Sequence, residues 1–195
     1  MTPDAENMIS LLRRVVPVTS RLIAAVPTDA WSAPTPCEDM TTLELVGHIV
    51  AAIEQFTDVA EGMPLDPSAQ RPLTAEDARQ EFDAASERAL ASWSAPGVGD
   101  RLYDMPWGEE PGARLIGFLV IEELGHGWDL ARATDQDPAF ADDVVIATLD
   151  MARAYDDESI RVPEMFGPVV EIADDARPID RLAAYLGRRP QDWGG

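Results

Sequence analysis

Each of the two histidines in this chain follows a glutamate by four residues, in Glu44-Leu-Val-Gly-His48 and in Glu122-Glu-Leu-Gly-His126. Side chains four residues apart lie on one face of an α-helix, with Cβ atoms about 5–6 Å apart. A carboxylate and an imidazole placed this way can bind one divalent metal ion. Both pairs are therefore candidate metal ligands, although the same spacing also recurs by chance in helices that bind nothing.

Hydrophobic spacing predicts helices along nearly all of the chain. The predicted helices span about 4–25, 41–61, 74–93, 113–134, 142–155 and 179–186. We expect Pro17 to kink or break the first helix and Thr41 or Thr42 to cap the second. No alternating strand pattern of useful length appears, and only residues 169–172 are interpreted as an isolated extended piece. This pattern predicts an all-α, up-and-down four-helix bundle with short C-terminal additions.

Size and charge narrow the function classes. A chain of 195 residues with 46% hydrophobic content can bury one core, which predicts a single domain over 1–195. The formal net charge of −21 would repel a phosphate backbone or an anionic membrane surface. We therefore expect neither nucleic acid nor membrane as a partner.

Targeting signals and cysteine usage give two more expectations. The apolar run from Leu115 to Ile121 is too short to span a bilayer, and the N-terminus lacks the pattern of a signal peptide. A cytoplasmic protein is expected. The single cysteine, Cys37, excludes an intrachain disulfide framework and cysteine-rich zinc knuckles.

A helical wheel distinguishes the two Glu/His pairs. His48 lies at the edge of the apolar stripe of its helix, whereas Glu44 lies toward solvent, where an acid in the first turn favours the positive helix end. Glu122, His126 and Asp129 share one apolar stripe of the fourth helix. Because a buried carboxylate without a partner is costly, we expect a cation or a hydrogen-bond partner beside Glu122.

Two residues leave alternatives open at this point. Asp129 is either a further metal ligand or the ion-pair partner of Arg132, three residues along the same helix. Cys37 follows a proline just before a helix, a position that can activate a thiol, but a lone cysteine is more often a small structural hydrophobe.

Five segments carry a family resemblance: Pro34-Thr-Pro-Cys37, Leu45-Val-Gly-His48, Glu122-x-x-x-His126-Gly-Trp-Asp-Leu-Ala131, Phe166-Gly-Pro-Val-Val170 and Leu186-Gly-Arg-Arg-Pro190. The first three resemble actinobacterial DinB-like proteins related to the N-terminal domain of mycothiol-dependent maleylpyruvate isomerase. The last two resemble a single-domain, metal-binding branch of that group. The resemblance implies a DinB-like bundle with one divalent metal, zinc in the isomerase, bound by His48, Glu122 and His126. Met40 stands where the family often has tryptophan, which implies a reshaped mouth of the site.

The resemblance also implies a chemistry. Three protein ligands with an open fourth position are typical of catalytic zinc. The leading hypothesis is a metal-dependent thiol S-transferase or isomerase-like enzyme with mycothiol or a similar thiol as cosubstrate and an electrophilic small molecule as substrate. The alternatives are a metal-dependent hydrolase that activates water and a non-catalytic metal or small-molecule binding protein.

Three arginines, Arg114, Arg132 and Arg161, are candidates for binding polar groups of the thiol. In the isomerase a C-terminal domain contributes to the active site, and this chain ends before such a domain, so maleylpyruvate isomerisation itself is not expected here. A homodimer is compatible with the sequence.

Overall fold

The computed structural model describes residues 4–37, 40–66, 71–155 and 166–193. These residues form α1 (Ala5–Ala24), α2 (Thr42–Ala60), α3 (Ala78–Trp93), β1 (Leu102–Met105), β2 (Gly108–Pro111), α4 (Gly112–Ala133), α5 (Asp142–Tyr155) and α6 (Pro178–Tyr185), followed by a short 3-10 helix, Pro190–Trp193. The predicted all-α helical bundle is confirmed.

Helices α1 to α4 form the bundle. Both α1 and α2 pack against α3 and against α4, so the order around the bundle is α1, α3, α2, α4. Helix α4 also contacts α5 and α6, which cover it from outside the bundle. Its apolar run from Leu115 to Ile121 is buried on every side, as a central position requires. No helix in the described ranges is both long and apolar enough to cross a membrane.

Helix α1 is continuous through Pro17, so the expected break is wrong. A proline removes one backbone donor from a helix, but the helix is held by an apolar stripe that continues on both sides of it. The buried stripe comprises Met8, Leu11, Leu12, Val15, Val18, Leu22 and Ile23. Burial of this whole face outweighs the lost hydrogen bond.

The segment between α2 and α4 differs most from the sequence prediction. Helix α3 begins at Ala78, one turn later than predicted, because residues 75–77 form a separate turn closed by the backbone hydrogen bond from Asp77 N to the Thr74 carbonyl (3.2 Å). Strands β1 and β2 then form an antiparallel hairpin in which Leu102 pairs with Pro111, so the expectation of no useful strand is wrong here. Each strand has only four residues, too few for a clear period. Residues 169–172, predicted to be extended, form no strand within the described part of the chain.

Candidate metal centre

Two helices bring His48, Glu122 and His126 together. Glu122 Oε2 on α4 lies 3.1 Å from Nε2 of His126, one turn along the same helix, and 3.7 Å from Nε2 of His48 on α2. The two imidazole rings are nearly perpendicular, with centroids 4.9 Å apart. All three donor atoms lie within 4.8 Å of one another. The structure therefore places the three predicted residues in one group, and the metal they would bind remains a prediction.

Charge couples the members of this group. Burial alone raises the pKa of Glu122, but the charge of His126 and its close contact, with a smaller contribution from His48, outweigh burial and hold that pKa well below its ordinary value. Burial lowers the pKa of His126, while the Glu122 charge and the hydrogen bond to Asp129 raise it well above its ordinary value. Glu122, whose side chain is 29% exposed, is thus ionised and lies beside the positively charged partner that the sequence led us to expect.

Asp129 and Arg188 support His126 from behind. Asp129 Oδ2 lies 3.0 Å from His126 Nδ1 and accepts a hydrogen bond from Arg188 Nη2 at 2.8 Å, while Arg188 Nε donates to the other oxygen at 3.2 Å. The Asp129 side chain is fully buried. Burial opposes its ionisation, but the Arg188 guanidinium and His126 keep the Asp129 pKa below its ordinary value. Because Asp129 faces Nδ1, the ring nitrogen Nε2 is left to face Glu122.

Arg188 reaches this position through an unusual turn. Gly187 has a φ of +93°, and a Cβ there would lie 2.7 Å from the Cα of Gly167. Only glycine accommodates both the conformation and the close approach. The predicted pairing of Asp129 with Arg132 is wrong, since Arg132 Nη2 instead donates to Asp180 Oδ1 at 2.7 Å.

Cys37 lies on the same side of His126 as Asp129. Its sulfur, a ring nitrogen of His126 and an oxygen of Asp129 lie within 4.8 Å of one another, so they form a second set of possible ligands. The guanidinium of Arg188 already binds Asp129 there. A metal cation on that side would be repelled by this charge, which favours the set with His48 and Glu122.

Glu44 has a structural partner. Its Oε2 accepts hydrogen bonds from the Thr41 backbone nitrogen (2.8 Å) and hydroxyl (2.7 Å), and the Thr41 side chain in turn caps the Glu44 nitrogen. This capping box identifies Thr41 as the helix cap. These hydrogen bonds lower the pKa of Glu44, so the exposed carboxylate stays ionised without a metal.

A cavity of about 740 Å³ opens beside the candidate ligands, and His48 and Glu122 line it. Its size falls in the range of small-molecule sites, about 300–1,000 Å³. One wall is the segment 71–73, which lies directly on α2. Gly47 permits this close approach, since a Cβ at that position would lie 2.7 Å from the Arg71 carbonyl oxygen. The walls are largely apolar and include Leu43, Phe56, Leu65, Leu73, Trp107 and Phe118.

The arginine at the cavity is Arg71 rather than those suggested by the sequence. The Arg114 guanidinium lies over the rings of Phe118 and Tyr155, at 5.6 and 4.8 Å from their centroids. Among the residues that the structure describes, neither Arg114 nor Arg132 lines the cavity. Arg161 lies outside the described residues. Sequence reasoning missed Arg71, Trp107 and Arg188 because all three lie outside the helices and follow no periodic pattern.

Glu123 gives a prediction that does not involve a metal. Glu123 is 1% exposed, its carboxylate oxygens have no hydrogen-bond partner among the described residues, and burial raises its pKa to about 7, partly opposed by the charge of His126. The folded chain therefore binds more protons than the unfolded chain between about pH 4.5 and 7, so the free energy of unfolding falls as pH rises through that window. In protein freed of metal by a chelator, the free energy of unfolding of Glu123→Gln should rise relative to that of wild type by about 2–3 kcal/mol as the pH is raised from 5 to 8.

Urea unfolding at four pH values between 5 and 8 measures this change. The matched control is Glu87→Gln, which removes an exposed charge on α3, and its difference from wild type should stay within about 0.5 kcal/mol at every pH. A Glu123→Gln difference that does not vary with pH would contradict the assignment of a raised pKa to this carboxyl.

The fold and the site define a helical-bundle protein whose candidate metal centre opens into a small-molecule cavity. The family model described as the mycothiol maleylpyruvate isomerase N-terminal domain matches residues 12–131. Two relatives from Mycobacterium tuberculosis, Uncharacterized protein MT0763 of strain CDC 1551 and Uncharacterized protein Rv0738 of strain H37Rv, are each 35% identical over 173 residues. Each match covers 86% of this chain and 90% of the relative. The chain belongs to the mycothiol maleylpyruvate isomerase N-terminal domain family.

Solved structures agree on the fold. The crystal structure of the mycothiol-dependent maleylpyruvate isomerase matches with a TM-score of 0.61 at 17% identity, over 76% of this chain and 70% of that chain. A histidine-to-alanine variant of that enzyme gives the same values. This likeness confirms the predicted DinB-like bundle. The family match ends at residue 131, so Arg188 lies outside it.

Proposed function

We propose that this protein is a metal-dependent enzyme that uses a low-molecular-weight thiol, such as mycothiol, for S-transfer to an electrophilic small molecule or for its isomerisation. The observation that carries the proposal is the convergence of His48, Glu122 and His126 beside a cavity of about 740 Å³. Family membership supports the thiol, because the solved relative is described as mycothiol-dependent.

The donor set fits a divalent ion. Two imidazole nitrogens and one carboxylate oxygen form a ligand set known from catalytic zinc sites, which keep a further position open. With a metal bound, a hydrogen bond from His126 Nδ1 to Asp129 Oδ2, 3.0 Å away, would fix the tautomer that presents an Nε2 lone pair, and the proton that Nε2 shares with Glu122 in the metal-free protein would be released. A divalent metal held by His48, Glu122 and His126 would supply the Lewis acidity that keeps a thiol sulfur deprotonated near neutral pH.

Among the described residues that line the cavity, none is a better nucleophile than an added thiol. Cys37 is the sole cysteine of the chain, and it is not among the described residues that line the cavity. The reacting sulfur is therefore supplied by an added thiol, while the apolar walls bind the second substrate and exclude water from it. Glu122 and His48 line the cavity, so a metal that they bind would lie where the thiol and the second substrate meet.

Cobalt substitution tests the proposal. We expect cobalt-loaded protein titrated with mycothiol or N-acetylcysteine to develop sulfur-to-metal charge-transfer absorption in the near ultraviolet. The reason is the open position left by three protein ligands. His48→Ala should lose this absorption together with the metal, as measured by absorption spectroscopy and elemental analysis.

Cys37→Ser is the matched control, because it should keep the full charge-transfer absorption if the sulfur belongs to the added thiol. An unchanged spectrum of the cobalt-loaded wild type on addition of either thiol would contradict thiol chemistry. Hydrolysis of an ester by that same sample would then favour the hydrolytic alternative.

A further inference from the structure

We propose that the second substrate bound in the cavity is an uncharged, largely apolar molecule with a ring-sized body, because the arginine that lines the cavity is already paired with two carboxylates and the walls away from the candidate metal ligands are largely apolar. The inference rests on the proposed function in taking this cavity as the substrate site. It adds a selection against carboxylate substrates.

Arg71 is the only arginine or lysine among the described residues that line the cavity, and His48 is the only histidine. One terminal nitrogen lies 3.3 Å from Glu54 Oε1, and the other is hydrogen-bonded to Glu81 Oε2. Both carboxylates come from the neighbouring helices α2 and α3. The guanidinium is thus held by two anions, and a substrate carboxylate would have to displace one of them to reach it.

Glu44 adds further negative charge at the cavity. It lines the cavity, and its carboxylate is fixed by the hydrogen bonds from Thr41. Because Glu54 and Glu81 already pair with Arg71, the Glu44 carboxylate has no cationic partner among the described residues of the cavity lining to offset its charge. An anionic substrate entering this space would lose its hydration and meet net negative charge, which is costly without a compensating partner.

The apolar walls favour a flat, uncharged ligand. Trp107, at the turn of the hairpin, lines the cavity while 45% exposed, and Phe56 and Phe118 contribute two more aromatic rings to the walls. Aromatic faces bind planar apolar groups well, and covering an exposed tryptophan is favourable. Maleylpyruvate, the molecule for which the solved relative is named, carries two carboxylates and falls outside this class.

Cinnamamide and cinnamate form a matched pair of probes, since they share one planar skeleton and differ in charge at pH 7. Titration calorimetry on metal-free protein should show cinnamamide binding about tenfold more tightly than cinnamate. The double variant Glu54→Gln/Glu81→Gln frees Arg71. Its affinity for cinnamate should rise about tenfold, while its affinity for cinnamamide stays within about twofold of wild type.

The double variant Glu6→Gln/Glu87→Gln is the control for net charge. It removes the same number of negative charges, both exposed and neither lining the cavity, and it should leave the ratio of the two affinities unchanged. Circular dichroism checks that each variant is folded.

Wild-type protein that binds cinnamate as tightly as cinnamamide would overturn the inference, and so would wild-type protein that binds neither at millimolar concentration. Because metal and thiol are both absent, these measurements are independent of the cobalt experiment. If added thiol leaves the cobalt spectrum unchanged while calorimetry shows the expected preference for cinnamamide, only the proposed thiol chemistry is contradicted. If the cobalt spectrum changes as expected while calorimetry shows no preference for cinnamamide, only the selection for uncharged substrates is contradicted.

Discussion

Replacing His126 with alanine should remove most of the metal from the purified protein. His126 would supply one of only three protein donors, and its side chain is 8% exposed between Glu122 and Asp129. Loss of a residue that hydrogen-bonds to a metal ligand typically lowers metal affinity about 10–100-fold. Loss of the ligand itself should therefore lower metal affinity at least about 100-fold. Elemental analysis after dialysis against a chelator measures the loss.

Glu44→Gln is the matched control for His126→Ala. It changes the other glutamate that precedes a histidine by four residues, and glutamine can still accept the hydrogen bonds of the capping box. Glu44→Gln should keep a full equivalent of metal. Full retention of metal by His126→Ala would contradict the three-residue site, and loss in Glu44→Gln as large as in Glu122→Gln would show that both Glu/His pairs bind metal.

The parts of the fold that could be predicted are those encoded by long periodic segments. Helix α5 runs over Asp142–Tyr155 as predicted, and the bounds of α4 differ from the prediction by one residue at each end. In contrast, the hairpin of β1 and β2 depends on pairing between two four-residue strands. Such pairing has no local periodic signal, because its stability comes from the cross-strand partner and from the adjoining helices.

The candidate site was predictable to the extent that it is local. The four-residue spacing and the helical wheel identified Glu122 and His126, which share one face of α4. The same local reasoning offered Asp129 two alternatives, metal ligation or pairing with Arg132, but the structure places Arg188 beside Asp129, 59 residues along the chain. Pairing rules for one helix cannot detect such a partner, since the contact depends on how the chain folds back after α6.

Arg71 and Trp107 were missed for a related reason. Both reach the cavity from segments outside the helices, and the position of each is fixed by a neighbour rather than by its own sequence pattern. For Arg71 that neighbour is Gly47, whose missing side chain lets the segment 71–73 lie against α2. A glycine within an apolar helix indicates a close approach, but it does not identify the approaching segment.

Asp129→Asn should destabilise the protein by about 3–5 kcal/mol, because it leaves the charge of Arg188 buried without its partner. The Arg188 side chain is 12% exposed and the Asp129 side chain is fully buried, so solvent cannot replace the lost contact. Arg188→Met should destabilise by a similar amount, since it leaves the Asp129 carboxylate without its guanidinium. Urea unfolding of the chelated proteins measures both values.

The double variant Asp129→Asn/Arg188→Met separates the two roles of Asp129. It removes both charges together, so its free energy of unfolding should lie closer to wild type than that of either single variant. Metal affinity, in contrast, should depend on whether the Asp129 carboxylate is present. It should fall about 10–100-fold in both variants that lack the carboxylate, because His126 Nδ1 then has a weaker acceptor, and it should fall less in Arg188→Met. Equal losses of metal affinity in the two single variants would show that Arg188, rather than the carboxylate, positions the imidazole.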